Sequence, residues 1–405
     1  MTRFDPRDLP QTYPPEPEWR ERIYGELSRC VDQELGRQGG IDKNALLDQV
    51  ANEAVALGPL EFYLDDESVT EIHVNRHDCI VVERDGQLLA GEYGYTSVDF
   101  LYLTAQRLLS MIGHTPATAP LHSEVRFGDG TLVQVVLPPV AVGSPLIVVR
   151  KPRRQYLPLE DFASKGLCSP NMLSFLETCL DARRSILIAG PNGSGRSSLL
   201  NALAAKIPEG ARIVSVEATA MLQLPQRTAV CLETQPATPY GPAIDLESLM
   251  NTALRLRPER VLLDPIRGPE ANLFMQATAA GAAGSIAVIG ALGAQDALRR
   301  LEQLALSSTQ GFSGRAIYDQ LARAIDVVVV MHRFADGSRR IVEIAEVCGA
   351  TSSHVDIETL FTYETQGMGD AGASPGQFLA SGYIPRFYRE LESGGVRLNS
   401  DIFRD

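Results

Sequence analysis

The fold of this chain is decided by residues 185–198, which read Ser185-Ile186-Leu187-Ile188-Ala189-Gly190-Pro191-Asn192-Gly193-Ser194-Gly195-Arg196-Ser197-Ser198. The first five residues form an apolar run, which is typical of a buried strand, and residues 197–206 predict the helix that follows. Between them lies the pattern G-x-x-x-x-G-R-S, which has the glycine spacing of a phosphate-binding P-loop but carries arginine in the lysine position. The order strand, loop and helix therefore predicts an α/β domain with a phosphate site.

The chemistry of this loop follows from its residue types. Glycines let backbone N–H groups converge on a phosphate, the helix N-terminus adds positive potential, and the Ser197 hydroxyl can reach Mg²⁺. Arg196 is bulkier and more planar than lysine, so phosphate binding survives more easily than catalysis. The predicted ligand is ATP with Mg²⁺, and the alternative is a glycine-rich turn that binds nothing. The predicted nucleotide-binding residues are Gly190, Pro191, Asn192, Gly193, Ser194, Gly195, Arg196, Ser197 and Ser198.

The sequence after the P-loop alternates apolar strands with helices. Further buried strands are predicted at residues 212–216, 260–263, 285–289 and 325–331. Apolar strands separated by helices indicate a parallel sheet that is covered on both faces. We therefore expect an α/β P-loop domain with a C-terminal extension over residues 153–405.

The chain before this domain has a different pattern of hydrophobic residues. Shorter alternating strands are predicted at residues 69–74, 80–84, 123–127, 131–137 and 146–150, with a helix at 97–113. These elements predict a smaller α+β N-terminal domain over residues 57–152. Helical periodicity over residues 17–56 predicts a helical cap, and the proline-rich residues 1–16 predict an irregular tail.

Composition limits the possible functions of the 405-residue chain. Hydrophobic residues make up 44% and charged residues 21%, as in ordinary globular proteins. The net charge of −13 argues against nucleic acid as a partner. No apolar run reaches the roughly 18 residues of a transmembrane helix, and the N-terminus lacks a signal-peptide core. The six cysteines are scattered without a CxxC pair, which favours a reduced, cytoplasmic location and no metal-thiolate site.

Several motifs outside the P-loop resemble one family. They are Leu57-Gly58-Pro59-Leu60-Glu61 with residues 69–75, residues 82–86, 126–139, 149–151, 254–260, 266–268, and the tail 378–403. Over residues 17–405 the chain resembles the secretion ATPases of the type II/type IV superfamily, most closely the CpaF-type motor of Tad/Flp pilus assembly. The resemblance implies a RecA-like C-terminal motor domain and a cytoplasmic hexamer attached peripherally to the inner membrane. It also implies that ATP hydrolysis moves an inner-membrane platform protein, and that this movement drives pilus assembly or protein secretion.

The catalytic positions of that family are altered here. Besides Arg196, the family's aspartate box keeps Glu217 but has Met221 at its end, and its Walker B ends Asp264-Pro265 in place of Gly-Glu. The resemblance places the lost histidines of its histidine box at Ala282 and Gly290, and lost arginines at Gln235 and Leu132. A carboxylate that orients or deprotonates the attacking water is worth about 10²–10⁴ in rate, so these losses predict weak hydrolysis or none.

The surviving polar residues each have two interpretations. Asp264, with Ser197, could hold Mg²⁺ or could only cap its strand, and Glu217 could serve the attacking water or be a strand-end carboxylate. Candidate arginines for phosphate or for contacts between subunits are Arg126, Arg150, Arg255, Arg257 and Arg267, with solvated surface or salt-bridge roles as the alternative.

Three functional hypotheses follow. The first is a pseudo-ATPase that acts as a structural or regulatory subunit of a homo-hexamer, or of a mixed hexamer with an active paralogue. The second is an active secretion motor that uses Arg196, Glu217 and Asp264. The third is a nucleotide-independent scaffold of the secretion platform.

Overall fold

The computed structural model describes residues 9–10, 12–14, 21–29, 43–84, 86–115, 118–152, 157–237, 241–308, 314–351, 353–366 and 375–404. Most of the predicted tail, and residues 15–20 and 30–42 around the predicted cap, lie outside these ranges. The chain forms two compact units: an N-terminal unit of residues 1–154 with 236–243, and a P-loop unit of residues 155–235 with 244–405. The segment 236–243, which the sequence division placed in the second domain, groups with the N-terminal unit.

The N-terminal unit is an antiparallel sheet with helices. Its helices are residues 21–29 (α1), Lys43–Val55 (α2), Leu60–Asp65 (α3) and Val98–Ser110 (α4). Its strands are Val69–Arg76 (β1), Cys79–Arg84 (β2), Gln87–Ala90 (β3), His122–Arg126 (β4), Leu132–Val136 (β5) and Leu146–Arg150 (β6). They pair in the order β3-β2-β1-β6-β5-β4, with every neighbouring pair antiparallel.

A buried arginine organises the helices of this unit. The side chain of Arg107, on α4, is fully buried. Its guanidinium donates hydrogen bonds to the carbonyls of Glu53 and Ala56, at 3.1 and 2.5 Å, and also to that of Ala54. It therefore satisfies carbonyls at the end of α2 that have no partner inside that helix. Its Nε also donates to the carbonyl of Pro10 at 2.8 Å, so this part of the predicted irregular tail is anchored.

The P-loop unit contains a nine-stranded sheet. Its helices are Asp161–Ser164 (α5), Pro170–Asp181 (α6), Arg196–Ala205 (α7), Leu246–Arg255 (α8), Glu270–Ala279 (α9), Ala294–Ser308 (α10), Gly314–Ala324 (α11) and Arg386–Ser393 (α12). Its strands are Ile186–Gly190 (β7), Ile213–Glu217 (β8), Val230–Glu233 (β9), Arg260–Ile266 (β10), Ile286–Gly290 (β11), Val327–Arg333 (β12), Arg339–Ala350 (β13), Val355–Thr365 (β14) and Gly376–Ala380 (β15). The strand order is β15-β14-β13-β12-β7-β11-β10-β8-β9.

The predicted parallel sheet is confirmed for the six strands from β12 to β9. The strand β7 is buried along its whole length, with Ile186 and Ile188 in the core on one face and Leu187 and Ala189 in the core on the other. This two-sided burial explains why β7 reads as a continuous apolar run. Strands β13 to β15 add an antiparallel extension beyond β12, which the sequence analysis did not predict.

The carboxyl ends of these parallel strands create the edge on which the P-loop lies. Strand β7 ends at Gly190, which pairs in register with Gly290 at the end of β11. On the other side of β7 runs β12, and β10 follows β11. Residues that follow these strands therefore converge near the P-loop although they are far apart in sequence. In the part of the chain that the structure describes, no helix is long and apolar enough to cross a membrane.

Candidate nucleotide-binding site

The P-loop requires glycine at defined positions. Gly190 has φ +154°, and a Cβ added to it would lie 2.4 Å from the Met331 carbonyl oxygen and 2.5 Å from Ser194 Oγ. Gly195, the residue before α7, has φ +97° in the left-handed region. Side chains at either position would be strained or would collide, so the sequence spacing of glycines is a consequence of this backbone.

The N-terminus of α7 has no side-chain cap. Gly195 provides no side-chain cap, so the first N–H groups of the helix lack acceptors within it. Uncapped N–H groups and the helix dipole together favour an anion such as a phosphate. The hydroxyl of Ser194 is buried and has no hydrogen-bond partner among the described residues. These features fit a phosphate group in the loop.

A hairpin holds the P-loop from its outer side. Arg339, at the start of β13, donates from Nε to the Gly193 carbonyl at 2.9 Å. A Cβ on Gly195 would lie 3.2 Å from Arg339 Cδ, and one on Gly193 would lie 3.7 Å from Arg333 Nη1. The β12–β13 hairpin thus fixes the loop through a backbone carbonyl and places further positive charge beside it.

Arg196 lies across the loop. Its Nη2 donates to Asn192 Oδ1 at 3.0 Å, and its Nη1 would lie 3.3 Å from a Cβ added to Gly290. Burial lowers the pKa of Arg196, the negative charge of Asp264 opposes this, and the positive charges of Arg267 and Arg300 lower it further. The guanidinium therefore occupies a positively charged space between the P-loop and the end of β11.

The structure brings Ser197 and Asp264 together, as a Mg²⁺ site requires. Asp264 lies near the end of β10, and its carboxylate forms a hydrogen bond with the Ser197 side chain. Burial raises the pKa of Asp264, while the bond to Ser197 and the charges of Arg196 and Arg267 oppose the increase. A serine hydroxyl and a carboxylate are oxygen ligands of the kind that Mg²⁺ prefers, so the pair fits this ion.

Glu217 is engaged on both carboxylate oxygens. It ends β8 directly beside Asp264 in the sheet and is almost fully buried. Its Oε1 accepts from Ser215 Oγ at 2.8 Å, and its Oε2 accepts from the backbone N–H groups of Met221 and Leu222 at 2.7 and 2.9 Å. Burial raises the pKa of Glu217, and these hydrogen bonds partly offset the rise. The carboxylate thereby holds the loop that follows β8.

The candidate arginines separate into three groups. Arg267 is close enough to Arg196 and Asp264 for its charge to act on both. Arg255 and Arg257 are exposed at the end of α8, and Arg257 has φ +52°. In the N-terminal unit, Arg126 pairs with Glu124 at 2.8 Å and Arg150 pairs with Glu71 at 3.0 Å. Of the five, only Arg267 is brought to the P-loop within one unit.

Three arginines at the loop were missed by sequence reasoning. Arg300 lies on α10, which follows Gly290, while Arg333 and Arg339 flank the β12–β13 hairpin. The available signal was their position after the strands that neighbour β7, since those strand ends share one edge. The replaced family positions also fall here: Gly290 ends β11, and Pro265 lies next to Asp264 within β10.

Comparison with known proteins identifies the family. Residues 53–370 match the family model described as Type II/IV secretion system protein. The chain is 28% identical to the conjugal transfer protein TrbB of Rhizobium radiobacter over 304 residues, covering 73% of this chain and 88% of the relative. It is 29% identical to the type IV secretion system protein PtlH homolog of Bordetella bronchiseptica over 328 residues, covering 74% and 97%.

A solved structure supports the fold. The X-ray structure of the Legionella pneumophila ATPase DotB covers 71% of this chain and 79% of its own, with a TM-score of 0.51 and 16% identity. At this identity the likeness concerns the fold alone. The family assignment depends on the family match over most of the chain. The chain belongs to the type II/IV secretion system protein family.

Proposed function

We propose that this chain is a subunit of a secretion or pilus machine that binds ATP with Mg²⁺ and hydrolyses it slowly or not at all. The observation that carries the proposal is the engagement of Glu217, whose two oxygens already accept three hydrogen bonds. The P-loop geometry supports nucleotide binding. The hydrogen bonds already made by the Glu217 carboxylate argue against its acting as a base in hydrolysis. This corresponds to a pseudo-ATPase with a structural or regulatory role.

The residues present can bind a nucleotide in a defined way. The N–H groups of the loop and of α7 would receive the phosphates, and Ser197 with Asp264 would hold Mg²⁺. When bound, the ion would neutralise part of the phosphate charge. Arg196 adds a positive charge that does not depend on pH in the physiological range.

The same residues lack a group to activate water. If Asp264 serves Mg²⁺ and Glu217 holds its loop, neither carboxylate is available as a base. Pro265, beside Asp264, has no group that accepts a proton. Loss of such a base costs about 10²–10⁴ in rate, which is enough to make turnover negligible on its own.

The machine and the assembly belong to the proposal as well. The sequence motifs favour a CpaF-type subunit of Tad/Flp pilus assembly, within the family that the comparisons show. By that resemblance the chain would form a cytoplasmic homo-hexamer, or a mixed hexamer with an active paralogue. It would be attached to the inner membrane through a platform protein, without nucleic acid. In a mixed ring an inactive subunit can hold nucleotide while its neighbours hydrolyse it.

The test pairs calorimetric titration of ATP–Mg²⁺ with a turnover assay. We expect saturable binding by the wild type and turnover far below about 1 s⁻¹, the low end of typical enzymes. Arg196→Lys should still bind and should not reach that rate, because no base is restored. Arg389→Lys, a matched substitution at an exposed arginine on α12 of the same unit, should leave both values unchanged.

Two outcomes would contradict the proposal. Turnover near 1 s⁻¹ that disappears in Glu217→Gln would support the active motor instead. Absence of any thermal stabilisation by ATP–Mg²⁺ would support the nucleotide-independent scaffold, because a ligand at about 100 times its Kd stabilises by about 2.7 kcal/mol.

A further inference from the structure

Two guanidinium groups converge over the carboxyl end of β11. A Cβ added to Gly290 would lie 3.3 Å from Arg196 Nη1 and 3.9 Å from Arg300 Nη1. Gly290 itself stands beside Gly190, in register across β11 and β7. Absence of a side chain at residue 290 therefore provides the space in which both guanidinium groups lie.

The charges that act on Arg196 are mainly positive. The positive charges of Arg267 and Arg300 act on Arg196, and the opposing negative charge is that of Asp264. Asp264 also forms a hydrogen bond with Ser197, so its negative charge does not serve Arg196 alone. Within the ranges that the structure describes, no ion pair involves Arg196, Arg267 or Arg300, and these like charges repel one another without an anion.

The position of the cluster selects one part of a nucleotide. In a P-loop the backbone N–H groups surround the α- and β-phosphates. The ends of β10 and β11, which carry Asp264 and Gly290, lie on the side of β7 away from β12. A phosphate beyond the β-phosphate would extend along this edge, where Arg196 and Arg300 flank Gly290 and Arg267 directly follows β10.

We propose that Arg196, Arg267 and Arg300 form a receptor for the terminal phosphate of a nucleoside triphosphate, with Gly290 providing the room for it. The proposal depends on nucleotide binding at the P-loop, and it adds that this site prefers a triphosphate to a diphosphate. Arginine forks match phosphate oxygens in geometry and charge. A nucleoside diphosphate has no terminal phosphate to bind these three arginines, so the site binds ATP more tightly than ADP.

The first experiment removes one charge. ATP–Mg²⁺ and ADP–Mg²⁺ are titrated by calorimetry into the full chain, into Arg300→Gln, and into the control Arg299→Gln, which removes a neighbouring exposed arginine on the same helix. We expect the wild type to bind ATP about tenfold or more tightly than ADP, as a charged hydrogen bond would give. Arg300→Gln should lose most of that ratio with ADP affinity nearly unchanged, and Arg299→Gln should keep it.

The second experiment closes the space. Gly290→Ala places a methyl group in close contact with Arg196, whereas the control Gly293→Ala places one at an ordinary 3.8 Å from Glu343 Oε2. We expect Gly290→Ala to lower the ratio of ATP to ADP affinity and Gly293→Ala to leave it unchanged. Thermal melting without ligand shows whether each variant is folded.

The outcomes separate this inference from the proposed function. Equal binding of ATP and ADP by the wild type overturns the receptor but leaves nucleotide binding intact. A parallel loss of both affinities in Arg300→Gln also overturns it, because that residue would then act on the whole site. Binding of neither nucleotide overturns both proposals.

Discussion

Replacing Glu217 by alanine removes the acceptor of three hydrogen bonds at once. The backbone N–H groups of Met221 and Leu222, at 2.7 and 2.9 Å from Oε2, lose their acceptor, as does the Ser215 hydroxyl. Each partly buried donor left without an acceptor costs about 1–3 kcal/mol. We therefore expect Glu217→Ala to lower the free energy of unfolding of the P-loop unit by about 3 kcal/mol.

Glutamine separates the structural role from a chemical one. Its amide oxygen can accept from Met221 and Leu222 while its NH₂ group donates to Ser215 Oγ, so Glu217→Gln should cost less than about 1 kcal/mol. A catalytic base, in contrast, would be abolished by either substitution. The two variants therefore differ in stability if Glu217 holds the loop, and are equally inactive if it is a base.

The assay is urea unfolding followed by far-UV circular dichroism, with amide hydrogen exchange at residues 221 and 222 to localise the effect. Glu247→Ala, which removes an exposed carboxylate on α8, is the control for lost charge and should change stability by less than about 0.5 kcal/mol. Equal stability of Glu217→Ala and Glu217→Gln, or unchanged exchange at both amides, would refute the reasoning.

Two further predictions concern buried charge. Burial raises the pKa of Glu217, so the native state keeps the carboxyl proton to a higher pH than the unfolded chain does. The stability that this proton contributes is therefore fully present below the ordinary pKa of a glutamate and is lost as the pH rises through the raised pKa of the native state. Above about pH 4 the free energy of unfolding of Glu217→Gln, measured by urea titration, should therefore increase relative to that of the wild type; a constant difference would count against this assignment. Arg107→Met should destabilise the N-terminal unit by about 3–5 kcal/mol in the same titration, because it leaves buried carbonyls without donors. The exposed Arg76→Met should cost less than about 0.5 kcal/mol, and a comparable cost for both variants would contradict the role of Arg107 in binding these carbonyls.

Much of the fold was predictable because its signals are local. Strand β7 lies at the centre of the nine-stranded sheet and is buried on both faces, so every residue in it is apolar and the run is visible in the sequence. The antiparallel strands β13 to β15 were missed because many of their residues are partly exposed and give no continuous apolar run. The grouping of residues 236–243 with the N-terminal unit has no local signal, since it depends on long-range contacts.

For the candidate site, the sequence by itself determined the P-loop, because the left-handed backbone at Gly195 and the close approach at Gly190 require glycine at a fixed spacing. It also determined which chemical groups were replaced, Arg196 among them. Only the tertiary structure decided what the replacements do. Parallel strands end at one edge, which brings Arg300 and Gly290 to Arg196 across about a hundred residues of sequence, and backbone N–H groups of the loop after β8 bind the carboxylate of Glu217.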